Sequence, residues 1–109
     1  MSVVYSYEIG NPQKVLPSII RRTSAFTRTY LVSGFKVGIT NNPERRWNEE
    51  HRFAYDRMIV LYHSKSISNV SGLECALISH NSEYCDNLIS GGGGSIGRNP
   101  YYLYIVIRY

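Results

Sequence analysis

Nine basic side chains crowd into one stretch of this 109-residue chain: Arg21, Arg22, Arg28, Lys36, Arg45, Arg46, Arg52, Arg57 and Lys65. The same stretch holds four acids (Glu44, Glu49, Glu50 and Asp56), a local excess of five positive charges within an overall balance of +4. Such a surface favours a phosphate backbone, which it binds by releasing condensed counterions, although many basic surfaces are merely solvated. Glu74 draws notice for another reason. Its helical neighbours are apolar (Leu73, Ala76, Leu77), so unless it lies on an outward face its carboxylate needs a partner to offset desolvation. The histidines (His51, His63, His80) and cysteines (Cys75, Cys85) show no zinc-ligand spacing. Two cysteines are also too few for a disulfide scaffold, and small buried thiols explain them.

These residues need a frame. Apolar content of 43% is ordinary for a globular chain, and this length supports one core and one domain over 1–109. No apolar run approaches the roughly 20 residues that span a bilayer, and no signal peptide opens the chain. The expectation is a soluble, intracellular protein with no membrane partner; its oligomeric state is open. Val3–Glu8 alternates as a strand, and Pro17–Arg22 suggests a short helical turn. Thr27–Leu31 and Phe35–Thr40 look like a hairpin, turning through Val32, Ser33 and Gly34. Asn41-Asn42-Pro43-Glu44 carries a capping Asn, a first-turn Pro and an acid at the positive end of the dipole, which starts a helix running to about Ala54. Arg57–Tyr62 is apolar enough for the middle of a sheet, and a second helix runs from about Asn69 or Ser71 to His80. Gly91–Gly94, flanked by Ser90 and Ser95, matches a flexible linker, or equally lets the backbone pass close to the core or a phosphate. The ten tyrosines concentrate partly in two alternating end segments, Val3–Glu8 and Tyr102–Arg108. The fold class implied is α+β: a small antiparallel sheet with core strands 27–31, 35–40 and 57–62, flanked by helices. The Tyr-rich ends would pair with each other or extend its edge.

Phe35-Lys36-Val37-Gly38-Ile39-Thr40-Asn41-Asn42-Pro43-Glu44-Arg45-Arg46-Trp47 resembles the second strand and first helix of the GIY-YIG nuclease superfamily, with Arg46 eight residues after Gly38. Ser71-Gly72-Leu73-Glu74-Cys75-Ala76-Leu77-Ile78 is similar to that family's helix bearing the metal-binding Glu, and Asn87 follows thirteen residues after Glu74, where the family often has Asn. The resemblance covers about 27–89, with N- and C-terminal extensions. It implies a metal-dependent endonuclease that hydrolyses phosphodiester bonds, of DNA sooner than RNA, with Mg²⁺ or Mn²⁺ held by Glu74. Tyr30, Lys36, Arg46, Glu74 and His51 would be the catalytic residues, and Arg45, Arg52 and Asn87 would bind substrate. The chemistry needs a hard cation on a carboxylate, a guanidinium gripping the phosphate, and a base for the attacking water.

Three departures from the family pattern matter. The first tripeptide is absent: Thr29-Tyr30-Leu31 stands in its place, and hairpin pairing would set Tyr30 opposite Lys36. Lys36 replaces the second family Tyr; an amine beside a metal and an arginine can serve as the base. The family His follows the helix Arg by four residues, whereas Glu50 holds that place here and His51 comes one later. On an α-helix, five residues rotate the side chain about 140° from Arg46, onto the stripe of Trp47 and Ala54, with His63 as a stand-in. These departures sustain an alternative: a non-catalytic module binding nucleic acid or a nucleotide-like ligand on the same fold. A third reading is a structural protein whose Tyr-rich sheet pairs with itself or a partner. Fold alone does not choose among them.

Overall fold

The computed structural model describes residues 3–29, 31–81 and 97–109. Tyr30, Cys85, Asn87 and the Gly91–Gly94 run lie outside the described residues. The elements are β1 (Val3–Glu8), α1 (Pro12–Thr27), β2 (Gly34–Thr40), α2 (Pro43–Arg46) continuing directly into a π-helical turn (Trp47–His51), β3 (Arg57–Ser64), α3 (Ile67–His80) and β4 (Tyr101–Arg108). The protein is α+β, and its four-stranded sheet has the order β1-β3-β4-β2.

The sheet is mixed, not antiparallel throughout. β4 runs antiparallel to both β3 and β2, while β1 pairs with β3 in parallel. Both β2 and β3 form as expected and share the sheet, but β4 lies between them. Its sequence explains the place: Leu103, Ile105 and Ile107 enter one face's core, and Tyr104 and Val106 the other's, so the strand is buried on both sides. β4 is therefore no edge extension, and it does not pair with β1, which alone of the two Tyr-rich ends sits at an edge.

None of the described residues of the expected strand Thr27–Leu31 is in a strand; α1 runs through Thr27 and is capped at Arg28. The governing pattern is helical, since Val15, Leu16, Ile19, Ile20 and Phe26 recur at turn spacing and pack into one core cluster, with Thr23 and Thr27 buried beside them. Asn11 caps the start, its side chain accepting from Gln13 N at 2.9 Å, and Pro12 occupies the first turn. The short turn expected over Pro17–Arg22 is thus the middle of a 16-residue helix.

Helices cover both faces. α1 and α3 pack over Phe35, Val37, Ile39, Ile59, Leu61, Ile105 and Ile107, whereas Trp47 of the π turn covers Val3, Met58, Val60, Tyr104 and Val106. Ile59, Leu61, Ile105 and Ile107 keep no solvent exposure; truncating one to Ala would cost roughly 2–5 kcal/mol. Among the described residues, no helix is long and apolar enough to cross a membrane.

Candidate active site

Alternation along β2 sends Phe35, Val37 and Ile39 into the α1/α3 core, and so turns Lys36, Gly38 and Thr40 to the opposite face. Lys36 is exposed there. The neighbouring strand is β4, which sets Val106 beside Lys36 and Tyr104 beside Gly38. Gly38 is needed for that neighbour: a Cβ in its place would run into the phenol ring and hydroxyl of Tyr104. The ring therefore lies flat across the glycine, its hydroxyl carried over β2.

At that point it meets His51. Tyr104 Oη lies 2.7 Å from His51 Nε2, and the imidazole tautomer sets which one donates. His51 reaches the pair through a change in helix type. Thr40 Oγ1 accepts from Asn42 N at 3.0 Å, and Asn42 caps the helix by accepting from Arg45 N at 3.1 Å. After one α-helical turn the backbone widens, and Arg52 N donates to Trp47 O, five residues back, at 2.9 Å. A π turn takes up one residue more than an α turn. The π turn thus replaces the regular α-helix on which the sequence expectation for His51 rested: His51 turns inward to Tyr104, while Arg46 pairs with Glu50.

Burial drives the electrostatics of the pair. His51 is 5% exposed. That burial lowers its pKa to about 4, against a raising effect from Glu50 and with lowering effects from Lys36 and Arg46. Burial likewise pushes the Tyr104 phenol well above its ordinary 10.0, with the charges of Arg46, Glu50 and Glu74 also acting on it. The two shifts map one neighbourhood. The charges of Lys36, Arg46 and Glu50 act on His51, and the charge of Glu74 on α3 acts on Tyr104. β2 is the sheet's edge, α3 packs against it, and the sheet stands between Glu74's helix and the face that carries Lys36 and Tyr104.

Arg46 donates to Glu50 Oε2 at 3.0 Å, a partly exposed i,i+4 pair worth about 0.3–0.5 kcal/mol. Glu50 also lies 4.0 Å from His51 Nε2. With its pKa near 4, His51 is neutral at pH 7 and this contact is no ion pair. Arg45 is exposed and donates to Asn41 Oδ1 at 3.2 Å. Arg52 stands apart from the pair, its guanidinium 4.7 Å from the centre of the Phe53 ring. His63 joins other rings, described below. Among the described residues, no group of three or more His, Cys, Asp or Glu side chains is set to cage a metal. Glu74, the carboxylate that the resemblance assigns to a metal, is buried on α3 at 4% exposure.

Tyr104 is the residue that local sequence reading does not single out. The strand beside β2 comes from the far end of the chain, so Val106 and not a tyrosine stands opposite Lys36, and Tyr104 lies two residues along, opposite Gly38. The available signal is the alternation of Tyr102 and Tyr104 within an otherwise apolar strand. Comparison with protein-family models, curated proteins and solved structures finds no match to this chain.

Proposed function

We propose that this protein is a metal-dependent endonuclease that hydrolyses phosphodiester bonds of nucleic acid, DNA in preference to RNA, as the resemblance to GIY-YIG nucleases implies. The observation that supports it best is the Tyr104–His51 hydrogen bond standing amid the charges of Lys36, Arg46, Glu50 and Glu74. In the tautomer with its hydrogen on Nδ1, His51 accepts the phenol proton while the phenol oxygen takes one from an attacking water. The hydroxide formed adds to phosphorus, the bond from phosphorus to the sugar oxygen breaks, and that oxygen takes a proton from solvent. Lys36 and Arg46 oppose the charge gathering on the non-bridging oxygens, Arg46 with a fork of donors suited to phosphate. Mg²⁺ or Mn²⁺ bound through Glu74 would add Lewis-acid stabilisation of the same oxygens. Tyr104 takes the role the sequence assigns to Tyr30.

One observation favours the non-catalytic alternative: an imidazole with a pKa near 4 is a weak base. The two readings part in a simple assay. Plasmid and single-stranded DNA are incubated with the protein in Mg²⁺, in Mn²⁺ or in chelator, beside Tyr104→Phe. The nuclease reading expects metal-dependent nicking or cutting that Tyr104→Phe slows at least a hundredfold. Binding without cutting under every metal tried would select the binding module.

A further inference from the structure

The sheet face that carries Tyr104 continues past the cover of Trp47 into a row of rings. Tyr7 on β1, His63 on β3 and Tyr102 on β4 stand on three adjacent strands. His63 and Tyr102, paired in register, stack with centroids 4.8 Å apart and 29° between planes. Tyr7 meets them at 5.3 and 6.3 Å. Cross-strand packing explains part of this, since such pairs steady a sheet. It does not explain why Tyr7 and its neighbour Tyr5 each stay 44% exposed. Exposed aromatic side chains grouped in this way suit a flat aromatic ligand.

Charge narrows the choice. On the β2 side of the row, Thr40 pairs with Tyr102, and Asn41 next to it holds the Arg45 guanidinium at 3.2 Å. Lys36 and Arg46 continue the positive edge. On the β1 side there is no matching positive edge: Glu44 of α2 acts on the Tyr5 phenol, and the Arg22 charge is taken up by Glu8. A ligand lying across the face would set its rings on the tyrosines and its anionic backbone along β2. Tyr102 precedes Tyr104 by two residues on the same face, about 7 Å along the strand, so a base stacked on Tyr102 brings its phosphate to the Tyr104–His51 pair. Bases within a duplex are already stacked and present no free face; unpaired bases do.

We infer that Tyr7, His63 and Tyr102 form a stacking platform for unpaired bases, so that the ligand is a single strand, overhang or flap and not an uninterrupted duplex. This deepens the proposed nuclease reading and rests on it for cleavage, but not for binding. The test is equilibrium binding in chelator at fixed salt, where nothing is cut. Single-stranded DNA and RNA oligonucleotides carrying a fluorescent base analogue are compared with their duplex forms, using the wild type, Tyr7→Ala, Tyr7→Trp and His63→Leu, each checked for folding by circular dichroism. The platform predicts quenching of the base analogue and tighter binding of single strands. Tyr7→Ala and His63→Leu should each weaken single-strand binding roughly 5- to 100-fold, with duplex binding unchanged and Tyr7→Trp restored. Equal affinity for both forms, or ring-deleted variants that bind like the wild type, would overturn the platform. Ring-dependent binding followed by no cutting on addition of Mg²⁺ would contradict the nuclease reading and leave the platform standing. If the wild type binds neither form, both fail.

Discussion

At the residue scale, the Tyr104–His51 pair ties candidate chemistry to the stability of the fold. Unfolded imidazole titrates near 6.5, whereas burial holds His51 near 4. Between those values the unfolded chain binds a proton that the folded chain refuses. Stability therefore falls as the pH drops from 6.5 towards 4, by about 1.4 kcal/mol per pH unit, and this contribution levels off below. Above 6.5 His51 adds no pH dependence. Urea unfolding from pH 7 to 4.5 should show the decline in the wild type and a shallower one in His51→Gln; parallel curves would mean that His51 is not held neutral by the fold. Lys36 carries a second residue-scale expectation, because its exposed position beside the pair suits a fixed cation better than a base. Lys36→Arg, which keeps the charge, should cleave within about tenfold of wild type, and Lys36→Met should fall about a hundredfold or more. Equal loss in both would instead make Lys36 the proton-transfer group that the sequence suggests.

At the element scale, the π turn decides where His51 points. An extra residue between Arg46 and His51 misdirects the His on an α-helix but not on a backbone that closes i to i+5 bonds. Deleting the exposed Glu49 should let the segment revert to α-helix, with Arg46 and His51 brought to i,i+4 spacing. The deletion is expected to retain cleavage within about tenfold and thermal stability within a few degrees, while deleting His51 itself abolishes activity. If removing Glu49 unfolds the protein, the π turn is required for packing Trp47 and is not a tolerated insertion. The elements also show what local sequence can disclose. Asn42-Pro43-Glu44 states a helix start outright because a cap is chemistry between near neighbours, and Arg57–Tyr62 is legible because its apolar run is uninterrupted. The Thr27–Leu31 strand fails because β-propensity there competes with the longer helical stripe from Val15 to Phe26, and the stripe prevails by burying more apolar surface.

On the scale of the whole molecule, the partner of β2 is set by tertiary topology, which no window of sequence contains. Lys36, Arg46 and Glu74 draw notice one by one from their spacing and surroundings, whereas the place of Tyr104 beside β2 depends on β4 entering the middle of the sheet. That entry brings together groups from β2, the α2–π segment and the last strand, whereas Glu74 stays on α3 in the opposite layer and acts on the Tyr104 phenol by its charge. The account holds that this carboxylate serves catalysis and not affinity. Glu74→Gln keeps the side chain's shape but offers a divalent cation a much poorer ligand. Binding should depend on the basic surface and weaken as salt rises, so removing one acid would leave it unchanged or slightly tighter. The deciding measurement is cleavage and gel shift run in parallel on wild type and Glu74→Gln at one salt concentration, with and without Mg²⁺. The account predicts a folded variant that binds nucleic acid as the wild type does and does not cut; undiminished Mg²⁺-dependent cutting by that variant would contradict it.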